Sequence, residues 1–131
     1  MNLIEHIADH LDFEGIGVLS TKEHDGNIFW GHLPDAPEEA IVVNSTDSQY
    51  PGSETGARIQ IMCRGKVGDT RTPYELACRI SELLADYTGF LHGDGPYVQI
   101  EVMSTALGAG LDKSGREYYT NNYRVKYCDW S

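Results

Sequence analysis

The chain has no apolar run near the roughly 18 residues that a membrane-crossing helix needs, so no membrane role is expected. Its start, Met1-Asn2-Leu3-Ile4-Glu5-His6, has neither the basic residues nor the apolar stretch of a secretion signal, and none is expected. Cysteine is scarce: Cys63, Cys78 and Cys128 are odd in number, widely spaced and without a CxxC pair. That pattern argues against a disulfide framework and against a zinc site, and it suits reduced thiols in a cytosolic setting. Positive charge is almost missing from one part of the chain. Residues 1–55 hold eleven acidic side chains and one basic one, Lys22, whereas residues 56–131 hold nine of each. The whole formal charge of −10 therefore sits in the first 55 residues. Such a segment repels a phosphate backbone, so nucleic-acid binding by counterion release is not expected. It suits solubility, a basic partner, or a surface past which DNA slides.

What is present fits one domain spanning residues 1–131, long enough to bury about two-thirds of its unfolded surface. Leu3, Ile4, Ile7 and Leu11 recur at helical spacing, which predicts a helix over 2–13 closed by Gly15. Gly17–Ser20 and Asn27–Trp30 are predicted as strands joined by a tight hairpin at His24-Asp25-Gly26-Asn27. Leu33-Pro34-Asp35-Ala36-Pro37 is loop, Ala40–Val43 a short strand, and residues 44–56 a mobile loop. Ala57–Arg64 is the clearest central strand, with Ile59, Ile61 and Cys63 on one side and Arg58, Gln60, Met62 and Arg64 on the other.

After a connector over 65–71, Thr72-Pro73-Tyr74-Glu75 predicts a capping box opening a helix to Tyr87, closed by Thr88-Gly89. Residues 90–96 are turn, Tyr97–Met103 strand, 104–116 a Gly-rich arm, and Glu117–Cys128 a last strand. The fold class expected is α+β: a mainly antiparallel sheet with two helices, one N-terminal and one long and central, packed on one face.

Few residues suggest chemistry. His6 and His10 stand at i, i+4, but the zincin pattern needs Glu after the first histidine and Ile7 stands there. Both lie on the flank of the apolar stripe or beyond it. His24 and His32, with Asp25 or Asp35, could form acid–base pairs, yet nothing supplies a nucleophile beside them. Cys63 falls on the apolar side of its strand, where burial raises a thiol pKa and quiets it; Cys128 is near the terminus. Gly108, Gly110 and Gly115 match no phosphate-binding motif. No catalytic residue, cofactor or metal is expected. Four of eight tyrosines crowd the last strand (Tyr118, Tyr119, Tyr123, Tyr127), and Arg124 and Lys126 on its other side could meet the acidic first third of a second copy.

The order of these motifs resembles the minor capsid and tail-terminator proteins of tailed phages. Ile59-Gln60-Ile61-Met62-Cys63-Arg64 is similar to that family's IQI-x-x-R strand, and the central helix follows at a similar distance. Gly31-His32-Leu33-Pro34 resembles its G-x-L-P loop. Gly110, Asp112, Gly115-Arg116 and Asn122-Tyr123-Arg124-Val125 resemble its G-x-D-x-x-G-R…N-Y/F-x-V end.

The resemblance covers most of the chain. It implies a structural virion protein, not an enzyme: a homo-oligomeric ring, commonly a hexamer, at the head-proximal end of the tail, assembled in the host cytoplasm. Such a ring stops growth of the tail-tube protein and docks to the head connector or stopper, and DNA passes through its lumen without specific binding. Tyr50, Glu54, Asp112, Lys113, Arg116, Arg124 and Lys126 are the assembly-interface candidates, the first five on the two predicted loops. Other head-completion, connector or tube proteins, a small-molecule-binding α+β domain, and a toxin–antitoxin or regulatory partner are the alternatives.

Overall fold

The computed structural model describes residues 2–45 and 56–127. Helix α1 spans Leu3–Phe13. Asn2 caps it by accepting the Glu5 amide at 2.9 Å, and Glu5 returns the favour to the Asn2 amide at 3.3 Å, a capping box. The helix closes as predicted at Gly15, whose φ is +81°. The Gly15 amide bonds to Asp12 O and the Ile16 amide to Leu11 O, the paired bonds of a Schellman motif.

The strands are β1 (Ile28–Trp30), β2 (Ala40–Ser45), β3 (Gly56–Val67), β4 (Thr88–Phe90), β5 (Tyr97–Leu111) and β6 (Arg116–Tyr127), and helix α2 (Arg71–Leu84) lies between β3 and β4. They form one sheet in the order β1-β2-β3-β6-β5-β4. All neighbouring pairs are antiparallel except β1–β2, which is parallel. Ile41, Val43, Ile59, Ile61, Cys63, Val98, Ile100, Tyr123 and Val125 form one core with Leu3, Ile7 and Leu11 of α1 and Ala77, Ile80 and Leu84 of α2. Both helices therefore cover the same face of a mainly antiparallel sheet, and the fold is α+β as expected.

Several elements differ from the sequence reading. Residues 17–20 make no strand; the backbone meets β1 only through an isolated parallel bridge, Leu19–Ile28. The reason is local. Asn27 Oδ1 takes the Val18 amide at 2.8 Å, and Gly26 packs so tightly against Val18–Ser20 backbone that a Cβ would collide there. The segment folds onto itself instead of opening into a hairpin. β3 runs through the expected connector to Val67, with a register shift after Arg64. Gly65 lets it approach α2: a Cβ there would sit 2.8 Å from Asp69 O and from Pro73.

Helix α2 starts at Arg71; its N-cap position is Thr70, whose side chain makes no cap bond, and Asp69 just before it, not Thr72, covers the first turn: Asp69 Oδ1 accepts the Arg71 and Thr72 amides at 3.1 and 3.0 Å. Glu75 bonds to the Arg71 side chain at 2.7 Å instead of closing a capping box. The helix ends at Leu84, because Ala85 is extended and Asp86 is left-handed at φ +55°. Thr88–Phe90, expected as helix end and turn, is a short strand paired to Tyr97–Gln99.

The largest correction is the Gly-rich arm. Residues 104–111 continue β5 rather than forming a loop. The strand absorbs its small residues through register shifts at Val102/Ser104, Ser104/Leu107 and Gly108/Leu111. At the second of these irregular stretches Ala106 is held at φ +51°, and Asn121 Oδ1 accepts its amide at 2.7 Å. Asn121 is fully buried and also donates to Ala77 O of α2 at 2.8 Å, so one side chain ties the irregular strand to the helix beneath it.

Candidate assembly surface

The three motifs that carried the resemblance lie 30 to 80 residues apart, and the fold joins them in one hydrogen-bonded unit. Arg64, 3% exposed, reaches across the helix-free face to the proline-rich loop. Its Nη2 donates to Pro34 O (2.9 Å), Asp35 O (3.2 Å) and Pro37 O (2.7 Å), and its Nε to Glu38 O (2.9 Å). Arg116, 6% exposed, secures the same loop from the other side: Nη1 and Nη2 donate to Asp35 O and Asp35 Oδ1, each at 2.7 Å. Its Nε donates to Asp112 Oδ2 at 2.7 Å.

Asp112 also shapes the β5–β6 turn, accepting the Ser114 and Arg116 amides at 2.9 Å. Burial pushes the Asp112 carboxyl up, but the Arg116 and Ser114 hydrogen bonds outweigh it and hold the group below its usual range. Arg116 is pushed up, first by its bond to Asp35. These contacts are all intramolecular. Asp112 and Arg116, expected to face a neighbour, hold loop and turn together within the chain, and Lys113 and Ser114 between them are exposed.

Arg124 and Lys126 stand on the helix-free face of β6. Arg124 lies directly opposite Arg58 of β3 on one side and Glu101 of β5 on the other; Lys126 lies opposite Gln99. Two open cavities flank Arg124. One, of about 200 Å³, includes Asp86, Gln99, Glu101 and Lys126, and the other, of about 270 Å³, includes Arg58, Met103 and Asn122. Tyr50 and Glu54 lie outside the described residues.

Beyond Gln99, β5 has no strand partner on the side away from β6 among the described residues. From Val102 to Leu111 that edge carries neither charge nor proline. Met103, Leu107 and Leu111 on it are 52%, 51% and 63% exposed. Native proteins guard such edges with charges, proline or a covering element, because bare backbone donors and acceptors recruit another strand. The register shifts leave this edge uncharged and, among the described residues, without a paired strand.

The histidines are arranged differently from expectation. His6 and His10 are buried, at 6% and 3% exposure, not on the flank of α1. Burial lowers the pKa of each, foremost among the causes. His10 Nδ1 accepts the His92 amide at 3.0 Å, which leaves the neutral ring's proton on Nε2, 3.8 Å from Glu14. His92 Nδ1 bonds to Asp9 at 2.8 Å and its ring stacks on Phe13, with centroids 4.1 Å apart. His92 drew no notice in the sequence, since its partners are more than eighty residues away.

His24 and His32 are exposed, and no hydrogen bond or ion pair joins either to Asp25 or Asp35 among the described residues. Asp25 lines a shallow open depression with Val18, Asn27, Phe29 and Pro37. Cys63 is sealed in the core, its thiol pushed up to about 12 by burial, which keeps it protonated and unreactive at neutral pH. No group of three or more His, Cys, Asp or Glu side chains is placed to hold a metal, and no helix is long and apolar enough to cross a membrane, among the described residues. Compared with known proteins, the chain matches no protein-family model and no curated protein.

Proposed function

We propose that this chain is a structural subunit of a tailed-phage virion. In this reading it closes into a ring at the head-proximal end of the tail, stops tube growth and docks the tail to the head. The observation that carries the reading is the bare edge of β5: ten residues without a charge, three large apolar side chains half exposed or more, and no strand paired beside them among the described residues. An edge of that kind asks for a neighbouring chain. Two further features support it. The residues behind the resemblance to tail-terminator proteins, Arg64, Pro34, Asp112 and Arg116, form one unit that sets a loop and a hairpin turn, which is scaffold work and not chemistry. The acidic excess of residues 1–55 suits a wall past which DNA slides without sticking.

Solution mass by light scattering over a range of concentrations, with negative-stain imaging of the same sample, tests the reading. Closed rings of one size are expected. Open filaments or tubes would move the chain to the tube-protein reading, and a ring that binds heads but not tail tubes would make it a connector or head-completion protein.

A further inference from the structure

Both helices lie on one face of the sheet, and the chain that leaves α2 hooks back onto α1 through two histidine contacts. In the first, the buried ring of His10 accepts the His92 amide on Nδ1 at 3.0 Å. His10 Nε2 has no hydrogen-bond partner among the described residues and lies 3.8 Å from Glu14 Oε1. In the second, the exposed ring of His92 bonds through Nδ1 to Asp9 Oδ2 at 2.8 Å and stacks on Phe13. Tyr87 meets the His10 ring edge to face, with centroids 5.2 Å apart. The charged and titratable groups around His10 are therefore Asp9 and Glu14 of α1, with His6 one turn earlier on the helix, and Tyr87 and His92 from the other side. Leu91, next to His92, is buried in the core, so the hook covers apolar surface.

The two contacts answer acid in opposite ways. A ring nitrogen accepts a hydrogen bond only while it carries no proton. A proton on His10 Nδ1 sets two N–H groups against each other and abolishes the first contact. The cation so formed keeps a partner, because Glu14 stands on its Nε2 side. A proton on His92 does the reverse: it turns the bond to Asp9 into an ion pair and strengthens it. Burial is the main reason that His10 stays neutral in the closed form. The closed form is therefore complete above the ordinary value of 6.5 and is lost as pH falls below it.

We infer that His10 and His92 form an acid-sensitive latch: a proton taken up at His10 Nδ1 releases the backbone at His92 from α1, while Asp9 retains the His92 ring. The latch is local. It loosens one corner of the helical layer, where the turn after β4 meets α1, and leaves the sheet intact. It is independent of the ring reading.

Amide exchange followed by NMR, expressed at each pH as protection relative to the unfolded chain, reads the latch residue by residue. From pH 7 to pH 5, protection at the His92 amide should fall by at most about tenfold per pH unit, the limit for one proton. Protection in the β3–β6 ladder should hold. His10→Asn keeps an acceptor that does not titrate, so protection at the His92 amide should become insensitive to pH. His92→Phe keeps the stack on Phe13 and removes the bond to Asp9, so the fall at residue 92 should be larger than in wild type. Nitrogen chemical shifts of the His10 ring give a second reading: a neutral ring with its proton on Nε2 at pH 7, and a doubly protonated ring over the range in which protection is lost.

Wild-type protection at His92 that ignores pH, that falls equally in His10→Asn, or that falls together with the whole β3–β6 ladder overturns the latch. So does a His10 ring with its proton on Nδ1 at pH 7. A fall in His92→Phe no larger than in wild type overturns the retaining role given to Asp9.

Discussion

Arg64 and Arg116 bring fixed positive charge into sites nearly closed to water, and they neutralise it in different ways. Arg116 has two carboxylates, Asp112 and Asp35. Arg64 has only carbonyl oxygens, four of them, gathered from a loop with two prolines that offers few amides to a ladder. A flat fork with five donors suits this task, and a lysine cannot reproduce it. Replacing Arg64 with Met keeps bulk and leaves the carbonyls unpaired, so we expect a loss of about 2–4 kcal/mol. Lys66→Met removes only an exposed pair, Lys66–Glu39 at 3.6 Å, and should stay within about 0.5 kcal/mol of wild type. Urea denaturation of both separates the cases; an Arg64→Met loss under about 1 kcal/mol would mean the loop is held by something else.

His10 supplies a second test at this scale. Its Nδ1 accepts the His92 amide, so a proton added there breaks the tether between α1 and the segment after β4. Burial lowers its pKa first of all; Glu14 and Asp9 oppose that shift and the nearby His92 adds to it. The unfolded chain therefore binds a proton at a higher pH than the folded one. The contribution is complete above the ordinary value of 6.5 and is lost as pH falls from there toward the lowered folded value. His6 follows the same sign. Asn at position 10 can accept the His92 amide without titrating. His10→Asn should thus flatten the pH dependence of stability between about pH 7 and 5; a slope equal to wild type would show that other groups govern it.

At the scale of elements, the β5–β6 hairpin is the least regular part of the sheet and the most dependent on one side chain. Asn121 holds the Ala106 amide and the Ala77 carbonyl inside the protein. Asn121→Leu would bury both without partners, and we expect a loss of about 2 kcal/mol or more. Amide hydrogen exchange should rise most around residues 104–107; uniform change across the sheet would argue against a local pin. The hairpin also shows why the glycine content misled. Gly108, Ala109 and Gly110 suggest a loop, yet an edge strand exposed on both faces needs no alternation of apolar and polar residues. Deleting 104–116 would therefore remove a strand and its turn, so point changes on the edge are the proper probes.

For the whole molecule, stability and assembly are expected to separate. Leu107→Lys with Leu111→Lys places charge on a solvent-facing edge, and folding stability should change by no more than about 0.5 kcal/mol. Self-association should fall sharply by light scattering. A large loss of stability would instead mean that the edge packs within its own fold.

The periodic segments were legible without coordinates, because their pattern follows from the chain's own geometry. α1 with its Gly15 stop, the alternating strand Ala57–Arg64, the last strand and the α+β class with both helices on one face all belong here. So does the division of charge at residue 55. Tertiary structure alone decided the rest. Asp69, not Thr72, covers the first turn of α2 because its carboxylate reaches two amides at once. Histidines at helical spacing were buried because the segment after β4 closes over α1 and offers the His92 amide. Arg116 was drawn from a presumed surface into a cluster with Asp35, eighty-one residues away in the chain. Local periodicity specifies which face of an element is apolar. Which distant backbone arrives to pair with a polar group depends on strand order and loop closure, and no single stretch of sequence contains that.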